Sequence, residues 1–159
     1  QEAEFAQALL HGLARNIHSL SRLEMERRFI SLELDFRATN DRIFCVSVQI
    51  QQVLLNLVIN AMDAMSDNTG VRTLRLSSSQ PDPATIQFDV ADNGSGLTEA
   101  LIEKIFDSFF TTKAEGMGMG LTISAEIIKR HGGKLKAASR ESGGSIFSFT
   151  LPVQPEESV

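Results

Sequence analysis

The sequence has no tryptophan and no tyrosine, a single cysteine and only four prolines among its 159 residues. One cysteine excludes a disulfide framework within the chain. Cys45 stands in the apolar stretch Ile43-Phe44-Cys45-Val46, where a buried, inert thiol is expected. Long apolar runs are missing as well. The longest, Val53 to Ile59, is seven residues and contains Asn56. It is too short to span a membrane, and no signal-peptide pattern opens the chain. Positive charge is in deficit, with 15 Lys and Arg against 20 Asp and Glu for a net charge of −5. Nothing in that balance attracts nucleic acid or anionic lipid, so a phosphate site must come from local geometry. What is present is ordinary for a soluble globular chain: 42% hydrophobic, 22% charged and ten Phe. The length suits one domain with a real core. Because Gln1 falls inside a helical pattern, the expectation is a cytosolic fragment of a longer protein, the whole being open to a membrane anchor.

Phe5, Leu9, Leu13, Ile17 and Leu20 recur at helical spacing, which predicts a helix over 2–28 with Gly12 as a potential break. Alternation at Ile30, Leu32, Leu34 and Phe36 predicts a strand, and Ile43–Val46 a short second one. The clearest helix is Ser47–Met65, with Ile50, Val53, Leu54, Leu57, Ala61 and Met65 on one side and Ser47 as its cap. Strands follow at Thr73–Ser77 and Thr85–Ala91 around the turn Gln80-Pro81-Asp82-Pro83. Next come a short helix at Thr98–Ile105, a loop over 107–118 and a helix at Met119–His131 stopped by Gly132-Gly133. Strands at Lys134–Ser139 and Ser145–Leu151 close the chain, and 154–159 is a frayed tail. The fold class is α+β: a two-layer sandwich with helices on one face of a mixed sheet of about five strands.

Three stretches could carry chemistry. On the Ser47–Met65 helix, Gln49, Gln52, Asn56, Asn60 and Asp63 are spaced 3, 4, 4 and 3 apart and so share one face. Asparagine is a poor mid-helix residue. The stripe reads either as a solvated back face or as side-chain oxygens offered to a hydrated cation. Asp92-Asn93-Gly94-Ser95-Gly96 follows a strand, as a plain turn or as a place where a flat ligand approaches the backbone. The run from Gly116 to Gly120 precedes a helix, as a loose loop or as an anion cradle of N-terminal amides. Neither the P-loop nor the dinucleotide fingerprint is present, since Leu121 stands where the latter needs its third glycine.

The order of these stretches is more specific than any one of them. QQVLLNLVINAMDAM (51–65), VADNGSGL (90–97), IFDSFFTTK (105–113), GMGMGLTISAEIIKRHGG (116–133) and GGSIFSFTLP (143–152) together resemble the N, G1, F and G2 boxes of sensor histidine kinases of two-component systems. The likeness is to their catalytic, ATP-binding domain, in the flavour of nitrogen-, oxygen- and dicarboxylate-sensing kinases. It implies a Bergerat-type ATP-binding fold over 29–153, with 1–28 as the helix leading from a dimerisation and phosphoacceptor region. By the same resemblance ATP and Mg²⁺ are the ligands, and Asn60 is the metal ligand. Asn56, one turn earlier, stands where related ATPases carry a catalytic Glu; it and Lys113 are the expected catalytic positions. The resemblance puts Asp92 at the adenine and gives Gly94 and Gly96 the close backbone approach. Phe106, Phe109 and Phe110 would anchor a lid over 107–118, whose Lys113 reaches the terminal phosphates. Gly116, Gly118 and Gly120 would bring amides to those phosphates, and Asp63, Thr112 and Leu121 complete the expected contacts. The implied partners are the kinase's own phosphoacceptor hairpin, a response regulator and, for the full-length protein, a second copy.

Two departures stand out. His11, His18 and His131 are followed by Gly12, Ser19 and Gly132, where the family's phosphoacceptor histidine has an acidic neighbour, so the acceptor is expected elsewhere. Cys45-Val46-Ser47-Val48 replaces a common Gly-Asp pair before the N box. An ATP-driven clamp of the same superfamily is the alternative, which a Glu at position 56 would have supported. A relay or scaffold that keeps the fold without nucleotide is the other.

Overall fold

The computed structural model describes residues 4–98, 100, 102 and 117–155. Strand β1 (Ala6–Leu9) leads into α1 (Leu10–Arg27), followed by β2 (Ile30–Phe36), β3 (Arg42–Cys45) and α2 (Ser47–Ala64). Then come β4 (Arg72–Asp82), β5 (Thr85–Asp92), α3 (Met117–Arg130), β6 (Lys134–Ser139) and β7 (Ser145–Pro152). The main sheet has the order β2-β4-β5-β7-β6. Only β2 and β4 run parallel. Parallel neighbours need a crossover, and β3 with α2 supplies it.

Strand period decides which face is covered. Leu74, Leu76, Ile86, Phe88, Val90, Phe147, Phe149 and Leu151 are buried, while the alternating Arg75, Ser77, Gln87, Asp89, Ser148 and Thr150 are half-buried. The apolar face packs against Ile17 of α1, Leu54, Leu57 and Ala61 of α2, and Leu121 and Ile128 of α3 in one core. The expected two-layer α+β sandwich is the fold found. Among the described residues no helix is long and apolar enough to cross a membrane.

The N-terminus departs from the sequence pattern. Ala6–Leu9 is extended and pairs antiparallel with β3, from Ala6 opposite Cys45 to Leu9 opposite Arg42. Phe5 stacks on Phe44 at 5.6 Å between ring centroids. Pairing with the four-residue strand β3 satisfies backbone groups on both segments, and it overrides the helical spacing of Phe5 and Leu9. The helix starts at Leu10, where Asp41 acts as a cap from another segment. Its main-chain oxygen accepts from Leu10 N at 2.9 Å and its Oδ2 from His11 N at 2.8 Å. The helix runs through Gly12 without a break. Its buried face lies in the common core, so α1 packs as part of this domain.

Other boundaries shift for identifiable reasons. Ser47 makes no capping bond; Val46 is the N-cap residue of α2. The Val46 N–H instead donates to His131 Nε2 at 3.1 Å, while His131 Nδ1 faces the Ile127 carbonyl at 2.7 Å. Strand β4 extends to Asp82, and Pro81 sits at a register irregularity between Ser79 and Asp82, where the missing N–H costs no ladder bond. Helix α3 is described from Met117, so Met117 and Gly118, expected in the loop, are already helical. The short helix expected at 98–105 falls largely outside the described residues; within them, Ile102 N–H donates to the Thr98 carbonyl at 2.9 Å.

Candidate functional site

Helix α2 buries Ile50, Val53, Leu54, Leu57, Val58, Ala61 and Met62, and its polar stripe passes gradually under cover. Gln52 is exposed, Asn56 half-buried and Asn60 only 9% exposed. Among the described residues Asn60 makes no side-chain hydrogen bond, and its amide atoms keep access to solvent although the residue as a whole is largely covered. Asn56 is tied differently: its Nδ2 donates to Ser124 Oγ on α3 at 3.2 Å. Gly120, one turn before Ser124, lies against the same amide; a Cβ there would be 3.7 Å from Asn56 Nδ2. The first described turn of α3 thus meets the asparagine stripe.

Asp63, expected with the stripe at the nucleotide, is engaged elsewhere. Its Oδ1 accepts from Arg28 Nη1 at 2.9 Å, and Arg28 Nε also reaches Glu24 at 2.7 Å. Those carboxylates hold the guanidinium above its ordinary pKa, Asp63 contributing most. Arg72 donates to the main-chain oxygens of Arg28, Ser66 and Asn68 at 2.8, 3.0 and 3.1 Å. This cluster fastens the end of α1 to the end of α2 and to β4.

Asp92 ends β5 with its side chain 1% exposed. Its Oδ1 accepts from Gly94 N at 2.8 Å and from Ser145 N at 3.4 Å, and its Oδ2 from Ser145 Oγ at 2.8 Å. Arg140 Nη1 donates to the Asp92 carbonyl at 2.8 Å. Glycine is required at two neighbouring points. A Cβ on Gly94 would lie 2.2 Å from the Ala64 carbonyl oxygen, so the loop after β5 rests directly on the end of α2. Gly144 has φ +97°, and a Cβ there would lie 2.0 Å from the Asp92 carbonyl oxygen. Asn93 holds the other flank, accepting from Thr73 N at 3.0 Å and donating to the Val71 carbonyl at 2.8 Å. Gly96 lies farther along the same loop, beside Gly144.

The structure therefore brings Asn56, Gly120 and the start of α3 together, and sets Asp92 and Gly94 against the C-terminal end of the same α2. Gly118 lies in the first turn of α3 and not in a loop. Leu121 is fully buried, its side chain packed in the core. Phe106, Phe109, Phe110, Thr112, Lys113 and Gly116, with most of the expected lid, lie outside the described residues. Ser124, Ser145 and Arg140 were not read from the sequence. Among the described residues no three His, Cys, Asp or Glu side chains form a metal-holding group. A cation here would take an amide oxygen and complete its shell from ligand and water, a donor set suited to Mg²⁺.

Comparison with known proteins bears on this geometry. The family described as "Histidine kinase-, DNA gyrase B-, and HSP90-like ATPase" matches residues 45–155. The sensor protein FixL of Bradyrhizobium diazoefficiens is 45% identical over 116 residues, which are 73% of this chain and 23% of FixL. The nucleotide-free catalytic domain of histidine kinase ThkA superposes with a TM-score of 0.85 at 34% identity, covering 96% of this chain and 98% of that one. A structure of ThkA in complex with the response regulator TrrA gives a TM-score of 0.80 at 31% identity, with 97% of this chain and 43% of that one covered. The chain spans less than a third of the curated relatives it matches, 23% in FixL and 29% in ZraS of Escherichia coli.

Proposed function

Since the chain belongs to the family of histidine kinase-, DNA gyrase B- and HSP90-like ATPases, we propose that it is the catalytic part of a two-component sensor histidine kinase. It binds Mg²⁺-ATP and presents the γ-phosphoryl group to a histidine on a separate helical hairpin of the same kinase. The observation that carries this reading is Asp92. A carboxylate 1% exposed, with no ion pair among the described residues, is costly to bury. Three N–H and O–H donors from Gly94 and Ser145 fix it and define which way it faces. Such a carboxylate suits the exocyclic amine of adenine and rejects the carbonyl of guanine.

The other residues divide the remaining work. Asn60, whose amide has no side-chain partner among the described residues and keeps access to solvent, is the group we assign to Mg²⁺. That ion, when bound, would neutralise phosphate charge. Asn56 faces the start of α3, whose amides are placed to meet phosphate oxygens. Being an amide it cannot deprotonate water, which favours transfer to a protein over hydrolysis. Gly116 and Gly118 continue the amide cradle, and Lys113 and Thr112 belong to the proposed lid with Phe110 as an anchor. Transfer of this kind asks the protein mainly for positioning and charge stabilisation.

His11 and His131 are poor phosphoacceptors on geometry. His11 is held by Ser78 Oγ at 2.7 Å and Asp41 at 3.2 Å, and both ring nitrogens of His131 are engaged in a buried site. A response regulator downstream, a second copy in the full-length kinase and residues 1–28 as the lead from the acceptor hairpin complete the proposal. The test is radiolabelled ATP with this chain alone and then with the cognate hairpin added. The chain alone should neither label itself nor turn over ATP appreciably, and the hairpin should be labelled slowly because it is untethered. Rapid hydrolysis by the chain alone would favour an ATP-driven clamp.

A further inference from the structure

Ser139 is the last residue of β6, the edge strand of the main sheet. Its hydroxyl binds both main-chain groups of Leu97, accepting from the Leu97 N–H at 3.1 Å and donating to the Leu97 carbonyl. The two bonds fix the roles of the hydroxyl, because an N–H can only donate and a carbonyl can only accept. They serve Leu97 as a neighbouring strand would, with a side chain in place of the backbone. The Leu97 side chain packs against the core. The residues next to Ser139 hold the other end of the same loop. Arg140 Nη1 donates to the Asp92 carbonyl and Arg140 N–H to the Gly144 carbonyl, and Ser145 Oγ donates to Asp92 Oδ2. Between the two ends Gly96 has φ +79°, and a Cβ there would lie 3.2 Å from the Gly144 carbonyl oxygen. The turn from β6 to β7 thus grips residues 92–97 at both ends and touches them between. Ser139 is exposed, so its contact adds little to the core and fixes the path of the loop instead.

Resting on the reading of Asp92 as the carboxylate that meets the base, we propose that Ser139 is a positioning residue for base recognition. Gly94 and Ser145 fix the carboxylate itself, and Ser139 fixes where the chain runs after it. A short segment tied at both ends has few conformations left, so the base does not have to order it on binding. The contribution belongs to the base end of the nucleotide and is independent of the metal.

The test is the affinity of the intact chain for ATP and for GTP, each in Mg²⁺ and in EDTA, with Ser139→Ala, Ser139→Thr and Asp92→Asn beside the unmutated protein. Ser139→Ala should weaken ATP by about three- to tenfold, the scale of one lost hydrogen bond, and by the same factor with and without Mg²⁺. GTP should change by less than about twofold on the same scale, so the preference for ATP narrows. Hydrogen exchange at the Leu97 amide should quicken in the same variant. Ser139→Thr keeps the hydroxyl and should restore both properties. A Ser139→Ala variant that melts earlier yet keeps its ATP affinity and its preference has lost a structural contact only, and that result overturns the proposal. Equal losses for ATP and GTP, or an unchanged exchange rate at Leu97, would overturn it too. If Asp92→Asn keeps the preference for ATP, the reading of Asp92 fails first and the proposal falls with it. A lost preference in Asp92→Asn beside an unchanged one in Ser139→Ala would sink the positioning role alone.

Discussion

The C-terminal end of α2 and the asparagine-bearing stretch before it are built on different principles. At its C-terminal end the loop after β5 is pinned from every side. Gly94 rests on Ala64, Gly144 presses on the Asp92 carbonyl, and Ser145 and Arg140 bond Asp92 from the β6–β7 side. Toward the middle of α2, Asn56 has one partner at 3.2 Å and Asn60 has none among the described residues. One region is finished by the fold, so under the proposed function its selectivity would be fixed before a ligand arrives. The other has side-chain amides whose partners, on the same proposal, would come with the ligand. Base recognition and metal recognition should accordingly be separable by mutation.

The largest expected effect comes from breaking the finished end. In Gly144→Ala the new methyl meets the Asp92 carbonyl and the residue is held at φ +97°. Strain and displacement together should cost about 3 kcal/mol of stability, visible as a lower denaturant midpoint. Next is Asp92→Asn, which replaces an acceptor facing Ser145 Oγ with a group that can also donate. ATP affinity should fall about ten- to hundredfold, and most of the preference for ATP over GTP should go with it.

Asn60→Ala acts on the asparagine stretch and should be gentler. The fold should survive, while the Mg²⁺-dependent part of ATP affinity falls about tenfold, the scale of a lost hydrogen-bond-strength contact to a charged group. An unchanged Mg²⁺ dependence would remove Asn60 as the metal ligand. The smallest effect concerns His11, which belongs to neither region. Its ring stacks on Phe36 at 4.5 Å, and burial lowers its pKa below the ordinary 6.5, with Arg15 adding to that and Asp41 opposing it. The unfolded chain therefore binds the proton first as pH falls. This contribution to stability is complete above about pH 6.5 and is lost progressively as pH drops toward the lowered folded value. His11→Gln should flatten the pH dependence of thermal unfolding across that window, and an unchanged slope would show that His11 is not its source.

The fold was largely legible because its signals are periodic. Alternation in β2, β4 and β5 and the apolar face of α2 name the core before any contact is known. The asparagine stripe, the turn after Asp92 and the glycine run were legible together, since their order carries the resemblance that none carries alone. What could not be read is what lies across the fold. Ser145 is 53 residues from Asp92, Ser124 is 68 from Asn56, and Arg28 is 35 from Asp63. No local spacing encodes such pairings, and so the ion pair between Asp63 and Arg28 could not be read from the sequence. Leu121 shows the same limit, because sequence alone does not say whether a motif residue acts by its side chain or its backbone. At the N-terminus a helical spacing was real, but the pairing of β1 with the short strand β3 outweighed it.

The claim that α2 joins a finished base site to an unfinished metal site is tested most directly by one set of titrations. ATP and GTP are each measured with Mg²⁺ and with EDTA, on the unmutated chain, Asp92→Asn and Asn60→Ala. The expected result is a clean division: Asp92→Asn erases the preference for ATP while the Mg²⁺ gain survives, and Asn60→Ala erases the Mg²⁺ gain while the preference survives. Equal binding of ATP and GTP by the unmutated chain, or the same loss of both properties in both variants, would contradict it.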